Sequence, residues 1–335
     1  MAKKPFYIAE ISANHNGSLL RAKALIKLAS EAGANAVKLQ TYRADTMTLD
    51  LPKFEVSKSH ELWGGYSLFK LYEEAQTPWE WHQELFELAK ALNITPFSTP
   101  FDLTAVDFLE ELNCPIYKIA SLETGDVDLI SYVASKGKPM IISTGASTLN
   151  EVEAAVEAAE KVRDKLTLLV CTSSYPAEPA DAHVNRITTL REKFNVDVGL
   201  SDHTLGIGVS VAAIALGATV IEKHLTIKRS DGGHDAAFSL EPDEFKLLVE
   251  EGNKAHTALG NPLWSIQVSE AESRRLRRSL YITQPVKKGE IASRVNVRAL
   301  RPNTGGPISE INSILGKKFV SDMNPGDAAS LDVVE

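Results

Sequence analysis

Eight short runs rich in β-branched and aromatic residues recur along the first two-thirds of the chain, and the segments between them carry helical periodicity. The runs cover residues 6–12, 36–41, 94–99, 116–121, 140–144, 166–172, 196–201 and 218–224. Between them lie amphipathic stretches such as LLRAKALIKLASEAGA, PWEWHQELFELAKALN and TLNEVEAAVEAAEKVRDK. Strands too apolar to face water on either side, alternating with helices, predict a parallel sheet covered by helices. Eight such units fit a closed (β/α)8 TIM barrel.

Each run finishes in side chains capable of chemistry. In order these are Glu10; Lys38 and Gln40; Ser98 and Thr99; Lys118 and Ser121; Ser143 and Thr144; Thr172 and Ser173; Ser201, Asp202 and His203; and Glu222 and His224. Barrels of this kind carry their active sites at the carboxyl ends of the strands, so one fold assumption gathers these scattered residues into a single pocket. Any one serine or threonine among them could equally be an ordinary capping polar group; the set as a whole is harder to dismiss. The stretch after the second run, residues 43–71, is long and includes Trp63, Gly64, Gly65 and Tyr66. A connection of that length reads as a lid or binding loop, or as a surface insertion.

His203 (in GLSDHT) and His224 (in IEKHLT) close two consecutive strands, close enough for both imidazoles to reach one divalent ion while leaving positions open for water and substrate. With oxygen ligands filling the remainder, Mn²⁺ or Mg²⁺ suits the pair as well as Zn²⁺. Lys38 and Lys118 lie inside apolar runs, NAVKLQ and IYKIAS, where a lysine is costly unless it meets an anion. Set among Thr99, Ser121, Ser143 and Ser201, they suggest a pocket for a small, highly charged substrate bearing phosphate and carboxylate. A lysine that forms a Schiff base is the rival reading. Glu10 and Glu222 read as carboxylates at the pocket mouth, able to orient a hydroxyl, reach a metal through water or move a proton.

Residues 1–264 are thus expected to form the barrel, 265–278 a charged linker, and 279–335 a small β-rich domain punctuated by turns at Lys288–Gly289 and Pro325–Gly326. The 36 basic and 44 acidic residues, a net charge of -8, argue against a general nucleic-acid binder. No run approaches membrane-spanning length. Cys114 and Cys171 both sit in apolar runs, which suits a reducing compartment, and two lysines lead almost directly into the first strand without a signal peptide. A cytoplasmic protein is the expectation.

From end to end the chain resembles the sialic acid synthase family, on the blocks AEISANHNGS, AVKLQTY, TPFSTPFD, YKIASLE, ISTGAS, CTSSYPA, GLSDHTLGIGVS, IEKHLT and FSLEPDEF. The tail, with LRPNTGGPI and GKK, is similar to that family's antifreeze-like (SAF) domain. The segment WGGYSLFKLYEEAQTPWEWH and the forms AEISANHNG and CTSSYPA most resemble the branch that makes pseudaminic acid. N-acetylneuraminic acid enzymes tend to carry glycine after AEI and asparagine at the position of Ser173.

The resemblance implies condensation of phosphoenolpyruvate with an amino-sugar aldehyde, and a homodimer whose small domains are swapped between chains. It implies a divalent metal on His203 and His224, and phosphoenolpyruvate held by Lys38, Gln40, Thr99, Lys118, Ser121, Ser143, Ser173 and Ser201. Glu10, Glu123, Tyr175, Asp235 and Glu222 would face the sugar or the reacting carbons. Arg301 would reach in from the partner chain.

Overall fold

The computed structural model describes residues 3–58 and 63–335. The chain divides into two compact units, Met1–Gly260 and Asn261–Glu335. The first is built on eight parallel strands in chain order: β1 (Phe6–Glu10), β2 (Ala36–Thr41), β3 (Thr95–Pro100), β4 (Tyr117–Ile119), β5 (Met140–Ser143), β6 (Leu166–Cys171), β7 (Asp197–Asp202) and β8 (Val220–His224). Each pairs with the next, and β1 pairs with β8, closing the barrel expected from the alternating pattern. Nearly every strand residue is buried, because the barrel interior covers one face and helices cover the other.

Local chemistry starts the helices where they are needed. Ser18 accepts a hydrogen bond from the Arg21 N–H at the head of Leu19–Glu31, and Asp102 accepts from Thr104 and Ala105 at the head of Leu103–Glu111. Thr148 and Glu151 form a reciprocal capping box at the start of Leu149–Ala158. These caps satisfy N–H groups that the first helical turn leaves unpaired.

Strand alternation sorts the polar ends onto two faces. Asp202 and Lys223 are direct cross-strand partners and form an ion pair of 2.9 Å that is almost wholly removed from water. Asp202 also accepts from the Thr204 N–H and hydroxyl and from Ser210 in the helix Gly208–Ala215, while Lys223 donates to the Thr204 carbonyl. This network lies on the helix side of the barrel wall. The residues on either side of it, Ser201 and Glu222, then His203 and His224, turn to the interior. Asp202 therefore leaves the set of inward-facing groups in which its place at a strand end had put it. Ser98 leaves it too, bonding to Thr41, which in turn meets His82 behind the strands.

The second unit has its own small core, including Leu280, Ile282, Val297 and Phe319. Its strands β9 (Ser279–Ile282) and β10 (Val297–Leu300) pair antiparallel, and isolated bridges such as Val286 with Met323 and Phe319 with Val334 complete a compact β-rich body. Among the described residues no helix is long and apolar enough to cross a membrane.

Removing one member of a buried ion pair strands the other charge. Lys223→Met is expected to lower unfolding stability by about 3–5 kcal/mol in urea titrations, and the charge-free double substitution Asp202→Asn/Lys223→Met to recover most of that loss. Equal stabilities for the single and double variants would count against the pairing as the source of the effect.

Candidate active site

At the carboxyl ends of the strands, register brings four charges together. Glu10 and Lys38 are cross-strand partners on β1 and β2, and their side chains are in direct contact. Glu222 on β8 lies 3.9 Å from Lys38 and 3.5 Å from Lys118 on β4. All four side chains are at least 95% removed from solvent. The carboxylates thus sit on the floor of the site, where the sequence reading had placed them at its mouth. Each lysine already faces a protein anion. Lys38 also donates to Thr99 at 3.1 Å, and Ser201 donates to Glu222 at 3.1 Å.

Burial and pairing act on the two carboxyls in opposite senses. Burial pushes Glu10 up to about 7, with Lys38 opposing and Glu222 reinforcing the rise. Burial works in the same direction on Glu222, yet Lys118 and Lys38 together hold it below the ordinary carboxylate value. Lys38 is depressed by burial but raised further by Glu10 and Glu222, so its ammonium form prevails. Lys118, with less compensation, falls below the ordinary lysine value through burial. The persistent ammonium form therefore disfavours a Schiff-base role for Lys38.

His203 and His224 follow the inward positions of β7 and β8, with ring centroids 5.4 Å apart. The Thr172 carbonyl lies 2.9 Å from His203 Nδ1, so that nitrogen carries a proton and Nε2 is the nitrogen left to meet a ligand. Buried His224 Nδ1 has no partner among the described residues. Both features suit imidazoles that hold a cation. Among the described residues no group of three or more His, Cys, Asp or Glu side chains is arranged to hold one. A cation held by the two imidazoles would have to take its remaining ligands from water or substrate.

The remaining expected residues fall into two groups. Ser121, Ser173 and Cys171 converge on Gly145: a Cβ there would stand 2.5 Å from Ser173 Oγ, 2.8 Å from Ser121 Oγ and 3.1 Å from Cys171 Sγ. The Gly145 N–H donates to Ser121 at 3.1 Å. Ser143 Oγ, nearby on β5, is buried without a protein partner among the described residues. Gln40, Ser121, Glu123, Tyr175, His224 and Asp235 line a cavity of about 340 Å³. Burial raises Glu123 to about 7, and the Tyr175 ring packs against His203 at 4.5 Å.

Much of the rest of the cavity wall is apolar, from Met47, Val56, Leu68, Leu71, Phe101 and Phe238. The stretch read as a lid supplies four of these and also Trp63, whose indole N–H donates to the His234 carbonyl. Residues 59–62 of that stretch lie outside the described residues. Arg301 follows β10 in the second unit and is exposed there.

Two contributors escaped the sequence reading. Cys171 was read only as a buried thiol, yet its Sγ lies 3.9 Å from His203 Nδ1. Burial would raise this thiol, but His203 brings it down to about 7. Gly145, in the block ISTGAS, had no side chain to signal that its bareness keeps three polar groups in reach of one another.

The profile of the NeuB family matches residues 25–263, and that of the SAF domain matches residues 277–335. The chain belongs to the NeuB family. It is 43% identical to a pseudaminic acid synthase of Campylobacter jejuni over 327 residues, 97% of this chain and 95% of that one. It is 41% identical to a pseudaminic acid synthase of Helicobacter pylori, over 100% of this chain and 99% of that one. Among solved structures, the N-acetylneuraminic acid synthetase of Leptospira borgpetersenii, in complex with citrate, superposes with a TM-score of 0.73 at 34% identity, covering 81% of this chain and 90% of that one. The family resemblance read from the motifs is borne out. This NeuB-family chain is an enzyme, and the cluster at the strand ends is its candidate active site.

Within this NeuB-family site, the proton on Glu10 gives a pH test. Its folded value of about 7 lies above the ordinary 4.5. Stability from this group is therefore complete below about 4.5 and declines as pH rises through about 7. Lys38→Met removes the cation that offsets burial, so the decline should steepen. Unfolding titrations are expected to show a loss at least about 2 kcal/mol larger at pH about 8.5 than at pH about 5.5. A pH-independent loss would mean that Glu10 does not depend on Lys38 for its charge.

Proposed function

We propose that this enzyme condenses phosphoenolpyruvate with the open-chain aldehyde of 2,4-diacetamido-2,4,6-trideoxy-L-altrose and water, giving pseudaminic acid and inorganic phosphate. The observation that carries the reading is the convergence of Lys38, Lys118, Glu10 and Glu222 with the His203–His224 pair under one cavity. Carbon–carbon bond formation joins C3 of phosphoenolpyruvate to the aldehyde carbon. Water then adds at C2, and the tetrahedral intermediate expels phosphate by C–O cleavage.

Lys38 and Lys118 offset the negative charge of bound phosphoenolpyruvate and of the departing phosphate. Ser121, Ser143 and Ser173 supply short-range donors around it, the Gly145 N–H bonding Ser121 from behind, while Thr99 steadies Lys38 and Ser201 steadies Glu222. With the quartet neutral overall when both glutamates are ionised, a proton on Glu10 gives it one net positive charge. A multiply charged anion beside Glu10 favours that protonated form, so ligand charge and the Glu10 proton are coupled.

His203 and His224 would hold a divalent cation, Mn²⁺ or Mg²⁺. Bound there, it would polarise the aldehyde oxygen. Tyr175 packs on the His203 ring and fixes its orientation.

The apolar wall supports the trideoxy acceptor over N-acetylmannosamine. A C6 methyl group and two acetamido methyls can bury against Val56, Leu68, Leu71 and Phe101, where the C6 hydroxyl of N-acetylmannosamine would lose its water. N-acetylneuraminic or legionaminic acid synthesis is the alternative outcome of an acceptor panel.

A homodimer in which the SAF domain of one chain caps the barrel of the other belongs to the same proposal, with Arg301 supplied from the partner. Large apolar side chains exposed on residues 261–278, among them Leu263, Trp264 and Val268, support an extended partner contact. Two free, buried cysteines support action in the reducing cytoplasm.

Phosphate release from phosphoenolpyruvate should require both the diacetamido sugar and a divalent cation, and mass spectrometry should find the nine-carbon acid. His203→Ala and His224→Ala are each expected to lower kcat at least 10³-fold, about 4 kcal/mol of barrier. Full activity after exhaustive chelation would overturn the metal assignment, and preference for N-acetylmannosamine would overturn the acceptor. Sedimentation equilibrium should return twice the chain mass, with Arg301→Ala raising the sugar KM; a fully active monomer would overturn the dimer.

A further inference from the structure

Ser12 lies two residues beyond the end of β1 and opens the short turn Ser12–His15 with a φ of 45°, a conformation uncommon for residues other than glycine. It is buried and lines the cavity. Three interactions hold it there. Its backbone N–H donates to Glu10 Oε1 at 2.8 Å. Its hydroxyl donates to Asp235 Oδ2 and accepts from Gln40 Nε2 at 2.9 Å. The Ala13 N–H adds a second bond, of 3.2 Å, to the same Asp235 oxygen.

The directions of these bonds follow from the chemistry of the groups. A carboxylate oxygen only accepts, so the single hydroxyl proton of Ser12 goes to Asp235. The hydroxyl lone pairs are then left to accept, which requires Gln40 to present its NH₂ group and turn its amide oxygen away from Ser12. Among the described residues no hydrogen bond reaches Asp235 Oδ1. Gln40, which the resemblance assigns to phosphoenolpyruvate, lines the cavity beside Asp235 and Glu123, on the sugar side, so two oriented oxygens stand at its wall. Paired acceptors select a ligand that brings donors, either hydroxyl or amide N–H groups.

We propose that Ser12 is a positioning residue for acceptor recognition. Its hydroxyl, bridging Gln40 and Asp235, sets their free oxygens to receive an acetamido N–H and a neighbouring hydroxyl of the sugar. This rests on the reading of the site as an amino-sugar condensing centre. The same residue ties that cradle to Glu10 through its own N–H, so the sugar's donors and the buried charges share one fixed reference point. The φ of 45° is the conformation in which Ser12 makes all three interactions.

Ser12→Gly suits the backbone conformation and removes only the hydroxyl and Cβ; Ser12→Ala keeps Cβ and removes the hydroxyl alone. Phosphate-release kinetics of wild type and both variants, with 2,4-diacetamido-2,4,6-trideoxy-L-altrose and phosphoenolpyruvate each varied, test the proposal. In both variants the sugar KM should rise at least tenfold, the phosphoenolpyruvate KM should stay within twofold and kcat within threefold, and the thermal midpoint of Ser12→Gly should not fall. An unchanged sugar KM in both variants overturns the proposal, as does an equal rise in both KM values, which would mark a general loosening of the site. A wild-type enzyme that releases no phosphate with this sugar overturns the underlying reading, and the proposal with it. An active wild type with indifferent variants overturns the proposal alone.

Discussion

Burying charge is the constraint around which the barrel's active end is organised. Glu10, Lys38, Lys118 and Glu222 are nearly excluded from water, and an isolated charge in such a place carries a penalty of several kcal/mol. The penalty is met by register: β1 sets Glu10 directly opposite Lys38 on β2, and Glu222 on β8 lies within 4 Å of both lysines. Because these contacts join strands from three parts of the chain, no segment can satisfy its own charge. The pairing of Glu222 with Lys118 in particular needs β8 and β4 on opposite sides of one closed barrel. The same arrangement poises Glu10 to titrate at about 7 while Glu222 is held below the ordinary carboxylate value, so two chemically identical side chains are pushed apart by their surroundings.

Architecture and the location of the site were legible in the sequence because both rest on local patterns. Eight apolar runs each ending in polar groups describe a parallel barrel and its reactive rim without any knowledge of contacts. Partnership was not legible. Lys38 and Lys118 stand out in the sequence as lysines in need of an anion, but the anions they meet in the protein, Glu10 and Glu222, belong to other strands. That pairing depends on strand register, which no single run encodes. Glu10 and Glu222 were accordingly placed at the mouth, although they form the floor.

The misplacement of Asp202 and Ser98 has a different origin. Position at a strand end says how near a residue lies to the rim; parity says which face it occupies. Asp202 precedes an inward histidine and follows an inward serine, so period-two alternation alone turns it toward the helices. Lys223 stands in the same relation to Glu222 and His224. Gly145 and Ser12 lay beyond both criteria. The importance of Gly145 lies in an atom it lacks, and that of Ser12 in a backbone angle that becomes visible only when Asp235 and Gln40 are seen to converge on it.

Alternation also explains how a polar rim stays rigid. On the inner face of β7 and β8 stand Ser201, Glu222, His203 and His224, groups whose usefulness depends on keeping some bonding capacity for ligands. On the outer face Asp202 and Lys223 use theirs within the protein, on each other, on Thr204 and on the helix that follows. A buried pair bonded on several sides admits few alternative arrangements, so the strand ends that carry the histidines are held from behind. The inner groups can then remain incompletely bonded, as Ser143 Oγ and His224 Nδ1 are, without the rim relaxing to satisfy them. Saturation on one face of the wall is what allows unsaturation on the other.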